Sequence, residues 1–219
     1  MPRSTDQPVA GSEFPPLSLC EDLGREAGKG NIQFRLWFDD RGVVLIAEHT
    51  AFRVHASFLS RHSPVFKELF TVPPAPNGER IGGCRVFHTS DSAEDLNYLL
   101  QLTYDAPCLL RPINPSGDTA KPSFAMISAL MRLGHKYEFF TLVDDAARYL
   151  ETYYTTNSDV WEQLRDGKQD APFTFSDNPA ADAIDAVDIA RLTGRYAMLP
   201  VASLSTNAAS SIPSTSWKV

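Results

Sequence analysis

A chain of 219 residues with 43% hydrophobic content suits one globular core, or one domain with an extension. The formal charge is −7, with Asp and Glu scattered rather than massed, so no basic face for phosphate is expected and direct nucleic-acid binding is set aside. Cys20, Cys84 and Cys108 are odd in number and form no CxxC pair, Asn114 is followed by proline rather than opening a glycosylation site, and no apolar run reaches the length of a membrane span. The expectation is an intracellular protein, cytoplasmic or nuclear, with neither a secretion signal nor a membrane segment.

In chain order, residues 1 to 33 carry turn and linker residues without a sustained period and read as a flexible arm. FRLWF alternates apolar and polar residues from Phe34. After DDRG, the run Val43 to Ala47 is continuously apolar, which predicts a strand covered on both faces. EHT then separates it from AFRV, a strand of period two, so a hairpin is expected. From His55 the period becomes helical, and Ser63-Pro64 restarts it: serine caps a helix and proline suits the first helical position, where its missing N–H is not needed. Val65, Phe66, Leu69 and Phe70 share one face of that second helix, with Lys67 and Glu68 outward.

TVPPAPNGERIGG reads as a loop, and CRVFH, Cys84 to His88, as a third strand. Asp91 and Glu94 have the spacing of a helix cap, followed by an inward stripe of Leu96, Leu99, Leu100, Thr103 and Tyr104. The proline-rich stretch 106–122 reads as a surface excursion. Phe124, Ile127, Leu130, Met131 and Tyr137 mark the next helix, interrupted near its end by Gly134. A Thr141/Asp144 cap opens its partner, with Leu142, Ala146, Tyr149, Leu150 and Tyr153 inward. VWEQL suggests one short helix, and Ile189, Leu192, Tyr196 and Leu199 a last one ending at Pro200. Residues 201–219 are small and polar and read as a loose tail. Val44, Phe52, Phe66, Leu69, Leu99, Leu100, Leu130 and Leu133 are the expected core.

His55 and His62 raise the question of chemistry. Seven residues apart on one helix, they would be separated by roughly 10 Å of rise, too far to share one metal ion, and no CxxC, HExxH or carboxylate-rich motif completes a shell. His55 reads instead as a capping residue at the strand-to-helix corner. No GxSxG elbow is present. Cys84 falls in a predicted strand, where it is a small core residue, and His88 and His135 have no patterned partner. GREAGKGN resembles a phosphate loop only superficially, because Lys29 is followed by glycine rather than Ser or Thr. The competing enzyme reading, a small hydrolase using Ser or Cys with one of these histidines, therefore lacks a signature. No catalytic residue, metal or cofactor is expected.

Hairpin, helix pair, third strand, acid-capped helix and two further helices make an α+β unit of about 120 residues. This order resembles the BTB/POZ domain family. The resemblance is carried by Val43-Val44-Leu45, Phe52 to His55, Leu59, Ser63-Pro64-Val65-Phe66, Leu69-Phe70, Val86, Tyr104-Asp105 and Leu133-Gly134-His135-Lys136-Tyr137. WFDD, LSRHSPVFKELF and DAIDAVDIARLTGRYAMLP are similar to the branch abundant in fungi.

The resemblance implies a BTB/POZ fold at residues 34–155, a small three-stranded sheet flanked by a helical cluster, with a helical extension at 156–200 and a flexible tail beyond. It implies a non-enzymatic interaction module that self-associates or docks protein partners, with a cullin-type ubiquitin ligase adaptor as the alternative, its helices 157–199 joining the docking surface. Where animal transcription-factor members pair a buried Asp with Arg or Lys, this chain has Gly42 and Ala56. Loss of both partners together leaves no lone buried charge.

Residues 17–33 hold few apolar positions and three glycines, so the N-terminal helix through which many members dimerise is not expected. A weak, concentration-dependent homodimer is expected instead, using residues from about 34 to 62. Its surface residues are Phe34, Leu36 and Phe38 on the FRLWF edge, with Phe58, Arg61 and His62 on the following helix.

Overall fold

The computed structural model describes residues 33–38, 42–75, 78–105 and 121–209, so the expected arm apart from Gln33, residues 106–120 of the expected 106–122 excursion and the end of the tail lie outside the described residues. The chain divides into two compact units. Of the described residues, one unit comprises those up to Ala56 together with Pro73–Ala93, and the other comprises Ser57–Val72 and those from Glu94 onward.

The first unit is a mixed sheet. Its strands are β1 (Gln33–Trp37), β2 (Val43–Ala47), β3 (Thr50–Val54), β4 (Arg80–Ile81) and β5 (Cys84–Thr89), in the order β1-β3-β2-β5-β4. The expected hairpin is β2–β3, antiparallel with Val43 opposite Val54 and Ala47 opposite Thr50. β2 sits centrally, parallel to β5, and all five of its residues are buried, which explains the unbroken apolar run. Val44, Ile46, Ala51, Ile81 and Cys84 form a core on one face, with Trp37 and Val86 against it.

Among the described residues, five strands stand where three are expected. FRLWF is a true strand, running parallel to β3 at the sheet edge. β4 has only two residues, too short to carry a period, and is held by the turn Gly82-Gly83. Both glycines have positive φ, 55° and 76°, the values a two-residue hairpin turn requires. Glu48 takes φ 51° in the β2–β3 turn without being glycine, and its carboxylate accepts the amide of Ala93 at 3.2 Å. At Gly42 an added Cβ would lie 2.4 Å from the Val54 carbonyl oxygen, so the backbone approach itself excludes a side chain there.

The second unit is helical: α1 (Ala56–His62, beginning on the last residue of the sheet unit), α2 (Pro64–Thr71), α3 (Ala93–Asp105, likewise entering from the sheet unit), α4 (Phe124–Lys136) and α5 (Phe140–Tyr153). The break between α1 and α2 falls where Ser63-Pro64 predicts it. Ser63 is 1% exposed, its Oγ accepts the Phe66 amide at 3.0 Å, and its hydroxyl donates to the carbonyl of Tyr137. Phe66 lies flat on Tyr137, centroids 4.5 Å apart. One serine thus stops α1, starts α2 and ties both to the end of α4.

Several boundaries differ from expectation. α3 begins at Ala93, so Ser92 rather than Asp91 stands at the cap position. Gly134 does not interrupt α4, which continues to Lys136. An added Cβ at Gly134 would come 2.8 Å from Val143 Cγ2, so the glycine lets α5 close onto α4. α5 begins at Phe140 without a side-chain cap, and Asp144 binds Arg195 instead of capping. Of the expected core, all but Leu69 are buried, Leu69 being half-buried. Val44 and Phe52 belong to the sheet unit and the rest to the helical unit.

The C-terminal extension adds α6 (Ser158–Arg165), α7 (Pro179–Leu192), a 3-10 turn (Tyr196–Met198) and α8 (Leu199–Ala209). The expected stripe of Ile189, Leu192, Tyr196 and Leu199 is not the buried face: Leu192 is 47% and Tyr196 64% exposed. Gly194 at φ 72° ends the helix between them, and α7 buries Ala183, Ala186, Ile189 and Ala190, small residues that make a weak apolar signal. Residues 201–209 continue as helix with Val201 and Ala202 buried, so the first part of the expected loose tail is structured.

This extension is packed on the α4–α5 pair. Thr174 bridges to Ser123, exchanging backbone bonds with Phe124 (2.8 Å) and Pro122 (2.9 Å). Phe173 is buried among Phe124, Tyr153 and Phe175. Asp182, 5% exposed, accepts both the amide and hydroxyl of Ser176 at 2.7 Å. Arg132 reaches Asp95 of α3 at 3.2 Å and Asp185 of α7 at 3.5 Å.

Burial, and then the neighbouring Tyr153 and Asp182 charges, push the Tyr154 phenol well above its ordinary 10.0. Folded Tyr154 keeps its proton where the unfolded chain loses it, so its contribution to stability is full below pH 10 and declines as pH rises above that toward the folded value. Melting temperature is expected to drop above pH 10, and Tyr154→Phe to flatten that drop. An identical alkaline slope in wild type and variant would show that Tyr154 does not drive it.

Candidate interaction surface

β1 forms one edge of the sheet, and an edge strand presents backbone donors and acceptors that a further strand can pair with. The register slips between Arg35, opposite Phe52, and Trp37, opposite Arg53, which makes Leu36 the extra residue of a bulge. Phe34 lies opposite Ala51. Phe38, half-buried, donates its amide to the Arg53 carbonyl at 3.2 Å and sets its ring 4.7 Å from that of His55. The simple alternation that puts Phe34, Leu36 and Phe38 on one face thus meets a bulge at its middle. Trp37, which alternation points the other way, joins the sheet core with the Arg53 guanidinium 5.6 Å from its ring.

On α1, Phe58 and His62 are one turn apart and their rings meet at 4.9 Å, while Phe58 also stacks on Tyr104 at 4.6 Å. Leu59 is fully buried, and Arg61 and His62 are exposed. The six expected surface residues therefore fall into two trios, Phe34, Leu36 and Phe38 in the sheet unit and Phe58, Arg61 and His62 in the helical one. Sequence reading missed a further exposed apolar set on the extension: Ile184, Leu192, Tyr196 and Leu204. Leu192 and Tyr196 flank the break at Gly194 where α7 ends, which periodicity alone reads across.

No catalytic constellation gathers around the histidines among the described residues. His88 Nε2 lies 2.7 Å from a Glu79 carboxylate oxygen, an ordinary partly exposed pair. Cys84 is a free, buried thiol on the sheet core. An open depression of about 420 Å³ reaches it, lined among the described residues by glycines, arginines and Val43, with neither serine nor histidine among those lining residues. Among the described residues no group of three or more His, Cys, Asp or Glu is placed to hold a metal ion, and no helix is long and apolar enough to cross a membrane.

The family model for the BTB/POZ domain matches residues 38–154, more than half of the chain. The chain belongs to the BTB/POZ domain family. BTB/POZ domains are protein–protein interaction modules, and the small sheet with its mixed helices is the α+β fold of that family. A comparison with curated proteins finds no relative of this chain. The family match ends at Tyr154, one residue beyond the end of α5.

Proposed function

We propose that this BTB/POZ protein works as a non-enzymatic docking module that self-associates weakly through the β1 edge and the exposed face of α1. The observation that carries the reading is β1 itself, a strand of apolar and polar residues at the open end of the β1-β3-β2-β5-β4 order. Strand addition at such an edge draws its affinity from backbone hydrogen bonds and its selectivity from alternating side chains. Phe34, Leu36 and Phe38 would line the added strand, with Phe58, Arg61 and His62 as the α1 contribution. The odd number of cysteines, with no CxxC pair in the sequence, supports an intracellular setting, cytoplasmic or nuclear.

Exposed Ile184, Leu192, Tyr196 and Leu204 favour a second reading, in which the extension helps dock a cullin scaffold. Light scattering across a dilution series tests both. The expected result is a mass moving from two chains toward one on dilution, with the dimer lost when residues 1–38 are deleted. A mass fixed at two chains down to nanomolar protein, or a dimer that survives the deletion, refutes the β1 assignment. Added cullin N-terminal domain that leaves the mass unchanged at micromolar concentration removes the second reading.

A further inference from the structure

Of the large apolar side chains exposed among the described residues, only Val72 and Phe140 lie outside the C-terminal hairpin. Ile184, Leu192, Tyr196 and Leu204 all belong to α7, the 3-10 turn and α8 or the link between them. Ile184, exposed Asp188 and Leu192 follow at four-residue intervals and so stand in one row, on the side of α7 away from buried Ala183, Ala186, Ile189 and Ala190. α7 is therefore apolar on two faces, of which one is covered. The short link 193–198 turns α8 back against α7, with Val201 and Ala202 buried, so the end of α8 returns toward the first turns of α7. Leu204 lies on that returning helix.

We propose that residues 210–219, SSIPSTSWKV, which follow α8 and lie outside the described residues, bind back onto this hairpin in the same chain, with Ile212 and Trp217 covering Ile184, Leu192, Tyr196 and Leu204. Composition and reach single out this segment. It carries the large apolar residues Ile212, Trp217 and Val219, no Asp or Glu, and one basic residue, Lys218. Ile212 stands three residues past Ala209, roughly 10 Å of extended chain from the end of α8. Ile184 and Leu192 are about 12 Å apart along α7, and the extended chain from Ile212 to Trp217 spans up to about 18 Å, so the two pairs can be matched in order. That register brings Lys218 to the row that holds Asp188, its opposite in sign. A tethered segment needs little affinity of its own, because a short linker keeps it at an effective concentration in the millimolar range. The bound segment competes with any protein that docks on the same face, and its binding depends on neither docking reading above.

The test is fluorine NMR on the full chain labelled with fluorotryptophan at Trp37, Trp161 and Trp217, the last assigned by its loss in Trp217→Phe. The Trp217 signal is expected away from its position in a free peptide of residues 210–219, and to move toward that position in Leu192→Ser and in Leu204→Ser. Both substitutions are at exposed positions, where folding is little affected, and unchanged melting followed by circular dichroism confirms it. Lys67→Gln, an exposed charge on α2, is expected to leave the signal in place. A wild-type signal at the free-peptide position, or one that neither leucine variant moves, overturns the proposal. A displaced signal that returns to the free position on dilution also overturns it, by assigning the segment to a second copy of the chain. A labelled peptide of residues 210–219, followed by fluorescence anisotropy, gives an independent reading. It is expected to bind the full chain carrying Ile212→Ser and Trp217→Ser about tenfold or more tightly than wild type, whose own segment occupies the face. Equal binding to the two chains refutes that occupancy.

Discussion

Replacing Phe66 with alanine is expected to cost about 3–5 kcal/mol of folding stability, the range for removing a buried aromatic ring. Phe66 has no exposed surface. Its ring lies within 9° of parallel to Tyr137, stacks on Phe70 at 5.5 Å and meets the edge of Phe139 at 6.1 Å. Aromatic pairs of this kind contribute about 0.5–1.5 kcal/mol beyond the area they bury, so the loss exceeds a simple transfer cost. Relaxation into the gap is restricted, because Ser63 holds both the Phe66 amide and the Tyr137 carbonyl in place. Against a total stability of about 5–15 kcal/mol the variant should be marginally folded at 37 °C. Denaturant unfolding followed by circular dichroism measures it, and a loss below about 1 kcal/mol would mean that α2 does not anchor the helical unit as described.

Phe173→Ala should have an effect of the same order, about 3–5 kcal/mol, and it decides whether the extension is part of the domain's folding unit. Phe173 is 2% exposed, with ring centroids 5.8 Å from Phe124, 5.4 Å from Tyr153 and 5.0 Å from Phe175. Phe124 opens α4 and Tyr153 closes α5, so the ring joins the first and last turns of the helix pair to a segment outside the family match. The adjacent Thr174 backbone bonds and the Asp182–Ser176 pair reinforce the same joint. If extension and helices unfold together, circular dichroism and tryptophan fluorescence give one coincident transition that shifts to lower denaturant in the variant. Two separated transitions in wild type, only the weaker one moved by the substitution, would make the extension an independent unit.

Elements with strong local signals are legible in the order of residues. The β2 run, the Ser63-Pro64 restart, the Leu96–Leu99–Leu100 stripe and the α4 face depend on period, capping and proline chemistry within a dozen residues, and the fold keeps all of them. Strand count and helix ends are less legible. β4 is stabilised by a glycine turn and a two-residue ladder, neither of which produces a period, and α7 buries alanines that hydropathy barely distinguishes from its exposed face. Gly134 shows the ambiguity most directly. Within a helical pattern glycine suggests an interruption, and only the approach of Val143 reveals a contact that needs the missing side chain.

The candidate surface divides in the same way. That FRLWF is a strand and that α1 carries Phe58, Arg61 and His62 can be read from residue order, because alternation and helical spacing are local. That β1 lies at an edge, parallel to β3, with a bulge at Leu36 and with Trp37 against the sheet core, depends on which strand it pairs with. The family, the helix pair and the apolar faces are legible in residue order, since each follows from the chemistry of neighbours along the chain. Tertiary structure alone decided strand order, the use of Gly134 and Gly42 as close contacts and the docking of the extension through Phe173, because those depend on which distant segments share a ladder or a ring contact.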